Sequence, residues 1–296
     1  MKQSISFVVC CFLFCIYIKG SPHNSRVAFK VGKGFNVSFV EKIFYVSDST
    51  VTRNTDTIPI FKMRLINSKE QRINIFMVNS GVEVIGYNGD ELKIESADYV
   101  PPSSQKEGLK PLYNRTEDNT RLGLSVVKEN NQVKITQASI DHFKYKVFVP
   151  NNVSLSYEEV GDQKADLSIS NMSGEIEVKK VAKGNVSLFN VAGPIVANSI
   201  NSNLKVVFSS PKSNKPCAFS SINGSVDIAL PAQNESDLQL RSVTGEIYTD
   251  FAIVIDSSGN LPTITGGHNI HGKINGGGAQ LTVHTVNNNI FIRKRK

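Results

Sequence analysis

Two stretches decide the fold when written one beneath the other: Ala165-Asp-Leu-Ser-Ile-Ser-Asn-Met-Ser-Gly-Glu-Ile-Glu-Val-Lys-Lys-Val181 and Gly184-Asn-Val-Ser-Leu-Phe-Asn-Val-Ala-Gly-Pro-Ile-Val-Ala-Asn-Ser-Ile200. Both alternate apolar with polar residues, pause at a glycine, and alternate again. Alternation with period two is the pattern of a strand with one buried face, and no 3.6-residue period competes with it. The same template returns in Cys217–Leu230, Ser236–Phe251 and Ala279–Lys294. The pauses are Gly174, Gly193, Gly224, Gly245 and Asn288. The first two are 19 residues apart and the third and fourth 21 apart, and the wider gaps of 31 and 43 hold insertions or an extra degenerate unit. Internal repetition near 20 residues points to stacked units that share one core. Glycine and asparagine take positive φ at little cost, so each pause is expected to be a turn made by a left-handed pivot, Asn288 standing in for glycine at the last one.

The expectation is therefore an all-β fold, a right-handed β-solenoid of strand-turn-strand repeats of about 20 residues. An antiparallel β-sandwich is the alternative. It would make each pivot a hairpin tip, and Asn223-Gly224 is a strong hairpin signal. Proline punctuates the strands as well. Phe148-Val-Pro150-Asn-Asn-Val-Ser-Leu155 resembles Ala229-Leu-Pro231-Ala-Gln-Asn-Glu-Ser-Asp-Leu238. In both, a strand ends at a residue that cannot donate to a ladder, and a polar loop follows.

The N-terminal half is less regular but still strand-like. Phe61–Leu65 and Ile73–Val78 alternate, and Gly81–Gly86 with Glu91–Glu95 reads as an irregular rung. Residues 101–122, polar and bearing Pro101 and Pro102, read as a long loop. Strand character resumes at Leu122–Val126, Val133–Thr136 and Tyr145–Val149. Three regions are expected: an export signal over 1–20, an irregular β region over 21–150, and a repeat domain over 151–296 that continues the region before it.

The export signal is read from a basic Lys2, a nearly unbroken apolar run from Ile5 to Ile18, and small residues at Gly20 and Ser21. The run is too short for a membrane span, which takes about 20 residues, so no transmembrane segment is expected after cleavage. Cys10, Cys11 and Cys15 lie in that signal, which leaves the mature chain Cys217 alone. No internal disulfide can then form, and Cys217 is expected to be buried as a small hydrophobe. The destination is the periplasm, the outer-membrane surface or the exterior.

The formal charge is +7, and +5 after the signal is removed. Four of those charges sit in Arg293-Lys-Arg-Lys296. The rest of the mature chain is close to neutral, which argues against nucleic acid as a partner. The tail is expected to guard the last strand, since charge on a sheet edge discourages pairing with another chain.

Catalytic patterns are missing from the sequence, and no cofactor is implied. His268, His271 and His284 are the weak candidates for a metal site, being close in sequence. Gly276-Gly277-Gly278 lacks the strand before it and helix after it that a phosphate-binding loop needs, and reads as a flexible turn. Carboxylates are scattered. A polysaccharide-acting enzyme on a β-solenoid would show three or more of them converging in a groove.

The segments Ser221–Pro231, Asp237–Ile247 and Ile274–Ile290 resemble the DUF4097 family of proposed bacterial adhesins, and Val84–Ile94 and Leu122–Val126 are similar to versions found in Bacteroidetes-type bacteria. The resemblance runs over roughly residues 73–294. It implies an exported, non-enzymatic β-strand-repeat protein of the cell envelope, an adhesin or surface binding module with a glycan or protein partner. A periplasmic structural or sensing component is the alternative. The family supplies no active-site residues to carry over.

Overall fold

A computed structural model of the protein describes residues 8–11, 14–19, 26–29, 60–65, 68–101, 116–210, 215–255 and 268–296. Lys2, Gly20 and Ser21, the flanks of the export signal, lie outside them, as do residues 102–115 of the long loop. The chain forms two compact units, Met1–Arg53 and Asn54–Lys296. In the first, β1 (Val8–Cys11), β2 (Phe14–Lys19) and β3 (Arg26–Phe29) make an antiparallel sheet in the order β1-β2-β3.

The second unit is all-β, with one short 3-10 turn at Ser68–Glu70 among the described residues. It opens with β4 (Ile60–Arg64), β5 (Arg72–Val78), β6 (Gly81–Tyr87), β7 (Glu91–Glu95), β8 (Leu124–Glu129), β9 (Gln132–Gln137) and β10 (Lys144–Pro150). Then come β11 (Ser154–Val160), β12 (Leu167–Ser170), β13 (Ile176–Lys180), β14 (Gly184–Val191), β15 (Ile195–Ser199) and β16 (Ser202–Phe208). The last third holds β17 (Cys217–Ser221), β18 (Val226–Leu230), β19 (Ser236–Ser242), β20 (Ile247–Thr249), β21 (Ile253–Ile255), β22 (His268–Ile274), β23 (Ala279–Thr285) and β24 (Ile290–Lys294).

Successive strands from β9 to β20 alternate between two sheets. Sheet I has the order β20-β24-β18-β16-β14-β12-β6-β10-β7-β4, and sheet II the order β21-β22-β19-β23-β17-β15-β13-β11-β5-β9-β8. The central pairs are parallel and in register, as in Leu155↔Ile176↔Ile195. Each rung is one strand from each sheet, so the second unit is a stack of two-strand rungs shared between two facing sheets. The antiparallel sandwich fails on this point. The strands on either side of Asn223-Gly224, β17 and β18, lie in different sheets and do not pair. Antiparallel strands appear only as end caps: β7, β4 and β8 at one end, β22 and β21 at the other.

In-register stacking puts like residues on like. Tyr157, Val178, Ala197, Phe219, Val283 and Leu240 form one inward column, all buried. Val82, Leu167, Val186, Leu204, Val226 and Ile290 form a facing one. Burying each such aliphatic contributes about 1.5–3 kcal/mol, and Cys217 is free and buried among them.

The rungs do not stack in sequence order. Rung β5–β6 lies between β9–β10 and β11–β12, and rung β23–β24 lies between β17–β18 and β19–β20. At two places the chain therefore steps over a rung: from β10 to β11 at Pro150-Asn151-Asn152, and from β18 to β19 at Pro231-Ala232-Gln233-Asn234-Glu235. These are the two proline loops whose sequences resemble each other. Both inserted rungs are open at the corner the loop passes, one entering at Arg72 and leaving at Tyr87, the other entering at Ala279 and leaving at Lys294.

This order corrects the expectation for the basic tail. The last strand, β24, is interior, paired in parallel with β18 on one side and β20 on the other. The tail clamps it instead. Arg293 pairs with Asp227 at 2.8 Å and lies over the Phe291 ring. Arg295 donates from its backbone to the Leu230 carbonyl and from its side chain to the carbonyls of Phe208 and Ser209.

The five pivots lie at turns between the sheets, but they fall at two different corners and none turns through left-handed backbone. Gly174 and Gly193 sit at the corner leading from sheet I to sheet II, and Gly224, Gly245 and Asn288 at the corner leading back. None of the five has positive φ. The left-handed residues are Asn171 and Asn190, each three positions before a glycine, with φ of 59° and 55°. Glycine is required because the rungs touch there. A Cβ on Gly193 would lie 1.9 Å from the Gly174 carbonyl oxygen, and one on Gly224 would lie 1.9 Å from that of Ser202.

Gly193→Ala should therefore cost about 3 kcal/mol, because backbone rather than a side chain must move. Asn288→Gly should destabilise by about 0.5–1 kcal/mol through unfolded-state entropy, with no relief of strain to offset it. Urea denaturation measures both, and stabilisation by Asn288→Gly would restore the left-handed reading.

Candidate binding surface

At the corner leading from sheet II to sheet I, the usual order of polar and apolar side chains is reversed. The inward column there is Met77, Glu159, Lys180, Ser199, Ser221, Thr285 and Ser242, one per rung, all buried and all but the first polar. The next residue of each strand or turn points outward: Val78, Val160, Val181, Ile200, Ile222, Val286 and Val243. Four of these, Val181, Ile200, Ile222 and Val243, are exposed.

The inward polar column follows from the turn. Where the chain leaves the sheet its carbonyls lose their ladder partners, and a buried carbonyl must find another donor. Ser199 and Ser221 donate to the Ser202 carbonyl at 2.8 and 3.0 Å. Thr285 and Ser242 donate to the Asn288 carbonyl at 2.6 and 3.3 Å, and Ser242 accepts from the Gly245 N–H at 2.9 Å. Those two carbonyls occupy the space that side chains on Gly224 and Gly245 would need.

On the two rungs that follow Ser199, the column becomes an ion pair. Lys180 Nζ contacts Glu159 Oε2 with both side chains inaccessible, and the Tyr157 hydroxyl donates to the same oxygen at 3.1 Å. Burial pushes the Glu159 carboxyl up, and outweighs Lys180 and Tyr157, which pull it down. Burial, then the neighbouring carboxylate, hold the Tyr157 hydroxyl well above its ordinary range.

The outward column has no such structural reason. Seven β-branched aliphatics, stacked at about 4.8 Å per rung, make a ridge about 29 Å long. Polar side chains at these positions would leave the core untouched. Beside the ridge runs a second ladder. Asn223 donates its amide to Asn201 at 2.9 Å, Asn287 donates to Asn223 at 2.7 Å, and Thr244 ends the row. An exposed apolar strip with a polar rim is the composition of a binding surface.

A second concavity lies on the outer face of sheet I, a groove of about 730 Å³ where the first residues of β6, β10 and β12 meet the end of β7. It is lined by Glu83, Glu95 and Asp166 against Lys144, Lys146 and Lys164. Two of the carboxylates have partners: Glu83 pairs with Lys146 at 3.2 Å, and Asp166 accepts from the Asn185 N–H at 2.8 Å.

The three histidines are not brought together. His268 pairs with Glu246 at 3.0 Å. His271 lies opposite Gln239 on β19, and His284 lies beside Arg241 on the far side of the same strand. His271 and His284 are thus two strands and two residues apart, about 12 Å, too far to share one ion. His284 Nε2 is buried without a hydrogen-bond partner. Among the described residues no group of three metal-ligating side chains occurs. Gly276-Gly277-Gly278 is the turn into β23. The ridge escaped the sequence reading because its residues count as core in an alternation pattern, and only the corner geometry turns them outward. The recurring pair Ile200-Asn201, Ile222-Asn223, Val286-Asn287 and Val243-Thr244 was the signal that could have found it.

No family model and no curated protein matches the sequence. Among solved structures, a proposed cell adhesion protein from Clostridium sporogenes ATCC 15579 is 10% identical, covering 81% of this chain and 100% of that one with a TM-score of 0.46. A proposed adhesin from Bacteroides fragilis NCTC 9343 is 11% identical, covering 81% of this chain and 98% of that one with a TM-score of 0.38. Likeness at this level extends to neither partner nor activity.

The buried pair gives a test of the inner column. Lys180→Met leaves Glu159 without a counter-charge and should cost about 3–5 kcal/mol at neutral pH, while adding Glu159→Leu should recover most of that. A carboxyl raised in the folded state binds its proton there first. Its contribution is fully present below the unfolded value of 4.5 and is lost as pH rises through the folded value. The single variant should therefore gain stability between pH 7 and pH 5. Urea titrations across that range would contradict this by showing a flat profile.

Proposed function

We propose that the protein is an exported, non-enzymatic binding module of the bacterial cell envelope, an adhesin of the DUF4097 type, and that the aliphatic ridge with its asparagine flank is its working surface. The observation that carries this reading is the reversal at the corner, where the inner residues are polar and the outer ones are valine and isoleucine. An extended glycan or protein partner lying along the ridge meets the same pair of side chains at every rung. Weak contacts of one kind then add along its length. Export rests on the apolar run after Lys2 and the small residues at 20 and 21. It places the mature chain in the periplasm, on the outer-membrane surface or outside the cell.

A polysaccharide-acting enzyme is the second reading, and the groove bearing Glu83, Glu95 and Asp166 favours it. Glu95 is its strongest acid candidate, since the other two are held by Lys146 and by the backbone. If the groove turns over polysaccharide, Glu95→Gln abolishes release of reducing ends. The adhesin reading expects no release from either form.

Ile200→Asp with Ile222→Asp puts two charges in the middle of the ridge. Stability should fall by about 1–2 kcal/mol, because the two side chains are only 37% and 40% exposed and the two charges lie one rung apart. Adhesion of protein-coated beads to the surfaces that the native protein holds should fall more than tenfold. Unchanged adhesion by a folded double variant would remove the ridge from the account. Protease added to intact cells should cleave the protein, whereas a periplasmic structural or sensing component would be shielded.

A further inference from the structure

Rung β23–β24 is inserted out of chain order. β23 and β24 fill a slot whose two walls, rungs β17–β18 and β19–β20, are already joined to each other through residues 231–235. Taking residues 279–296 away would leave four strand edges unpaired and expose the inward side chains of Phe219, Ile228 and Leu240. Such a slot is selective. It accepts two strands in parallel register, with apolar residues spaced like Leu281, Val283, Ile290 and Ile292, joined by a corner whose carbonyl meets Thr285 and Ser242.

The connection into the slot is short and conformationally unusual. Ile274 ends β22 on one side of β19, and Ala279 starts β23 on the other, so four residues must cross that strand. Asn275, Gly276 and Gly277 all have positive φ, at 49°, 95° and 92°. Side chains on Gly277 and Gly278 would lie 2.5 Å from Asp237 Oδ1 and 2.7 Å from the Glu235 carbonyl oxygen. Asn275 is pinned to the carbonyls of Ala232 and Asn234, at 3.0 and 2.8 Å. A short, tightly folded hinge leading to an inserted element invites exchange, because the hinge can extend when the element docks elsewhere.

We infer that residues 279–296 exchange between copies of the chain, each filling the slot of the other, and that the protein forms a reciprocally swapped dimer. The occupant is a second copy because the slot reads register and side-chain size in both sheets at once, which the chain's own C-terminal segment satisfies. The inference is independent of the ridge and of what the ridge binds.

Cys217 supplies a reporter, since it lies directly beside Leu281 across the β17–β23 pair. Full-length Leu281→Cys protein is made with natural nitrogen and with nitrogen-15. The two are mixed at high concentration, passed through mild denaturant, separated by size and oxidised. Peptide mass spectrometry then reads the disulfide linking positions 217 and 281. The expected result is heavy–light linked peptides in the dimer fraction, at about half of all linked pairs, and none in the monomer. Ala218→Cys with Thr282→Cys repeats the measurement on the outer face of the same strand pair, should the core variant misfold. Deleting Gly277 and Gly278 should raise the dimer fraction above that of the native protein, and inserting four flexible residues after Gly276 should lower it. Linked pairs of a single isotope in every fraction, or no dimer in the deletion variant, would overturn the inference.

Discussion

Parallel pairing in register, rung on rung, is the constraint from which the other features follow. It brings each residue against its counterpart about 4.8 Å away, so whatever is placed at one position becomes a column. Aliphatics in such columns make the core between the sheets. Asparagines make amide ladders, and carbonyls at the corners come so close to the next rung that only glycine fits at positions 193 and 224. A residue that fails its column therefore disturbs two neighbours rather than one.

The corner leading from sheet II to sheet I shows how that constraint shapes a surface. Turning the chain frees carbonyls that must be met from inside, and serine and threonine meet them at four successive rungs. The Lys180–Glu159 pair takes the same column where the turn is longer. With polar groups committed inward, the following position is left facing out, and there the chain carries valine or isoleucine seven times. The buried hydroxyls are explained by hydrogen bonding. The ridge finds no explanation in folding, which is why the proposed binding role is assigned to it.

Much of the architecture was legible because period-two alternation and a 20-residue repeat both survive in the sequence. The phase of the repeat was not. Ala165–Val181 runs from sheet I to sheet II, whereas Cys217–Leu230 runs from sheet II to sheet I, and the two align because either half of a two-sheet coil looks the same in one dimension. Rung order was hidden for a related reason, since a strand's pattern says which face is buried and not which neighbours it has. The likeness of the two proline loops was visible, and only the topology shows that both step over an inserted rung. At the pivots, glycine has two physical uses, left-handed backbone and close approach. The sequence does not distinguish them, and here Asn171 and Asn190 take the first while Gly174 and Gly193 take the second.

The fold depends on the stacking of rungs, above all on the placement of rung β23–β24 inside the pile. Solution NMR on methyl-labelled protein tests this most directly. Nuclear Overhauser contacts are predicted from Val283 to both Phe219 and Leu240, and from Ile292 to Ile228. Contacts from Val283 to Leu240 alone, with Phe219 meeting Leu240 directly, would put the last rung at the end of the stack and contradict the structure described.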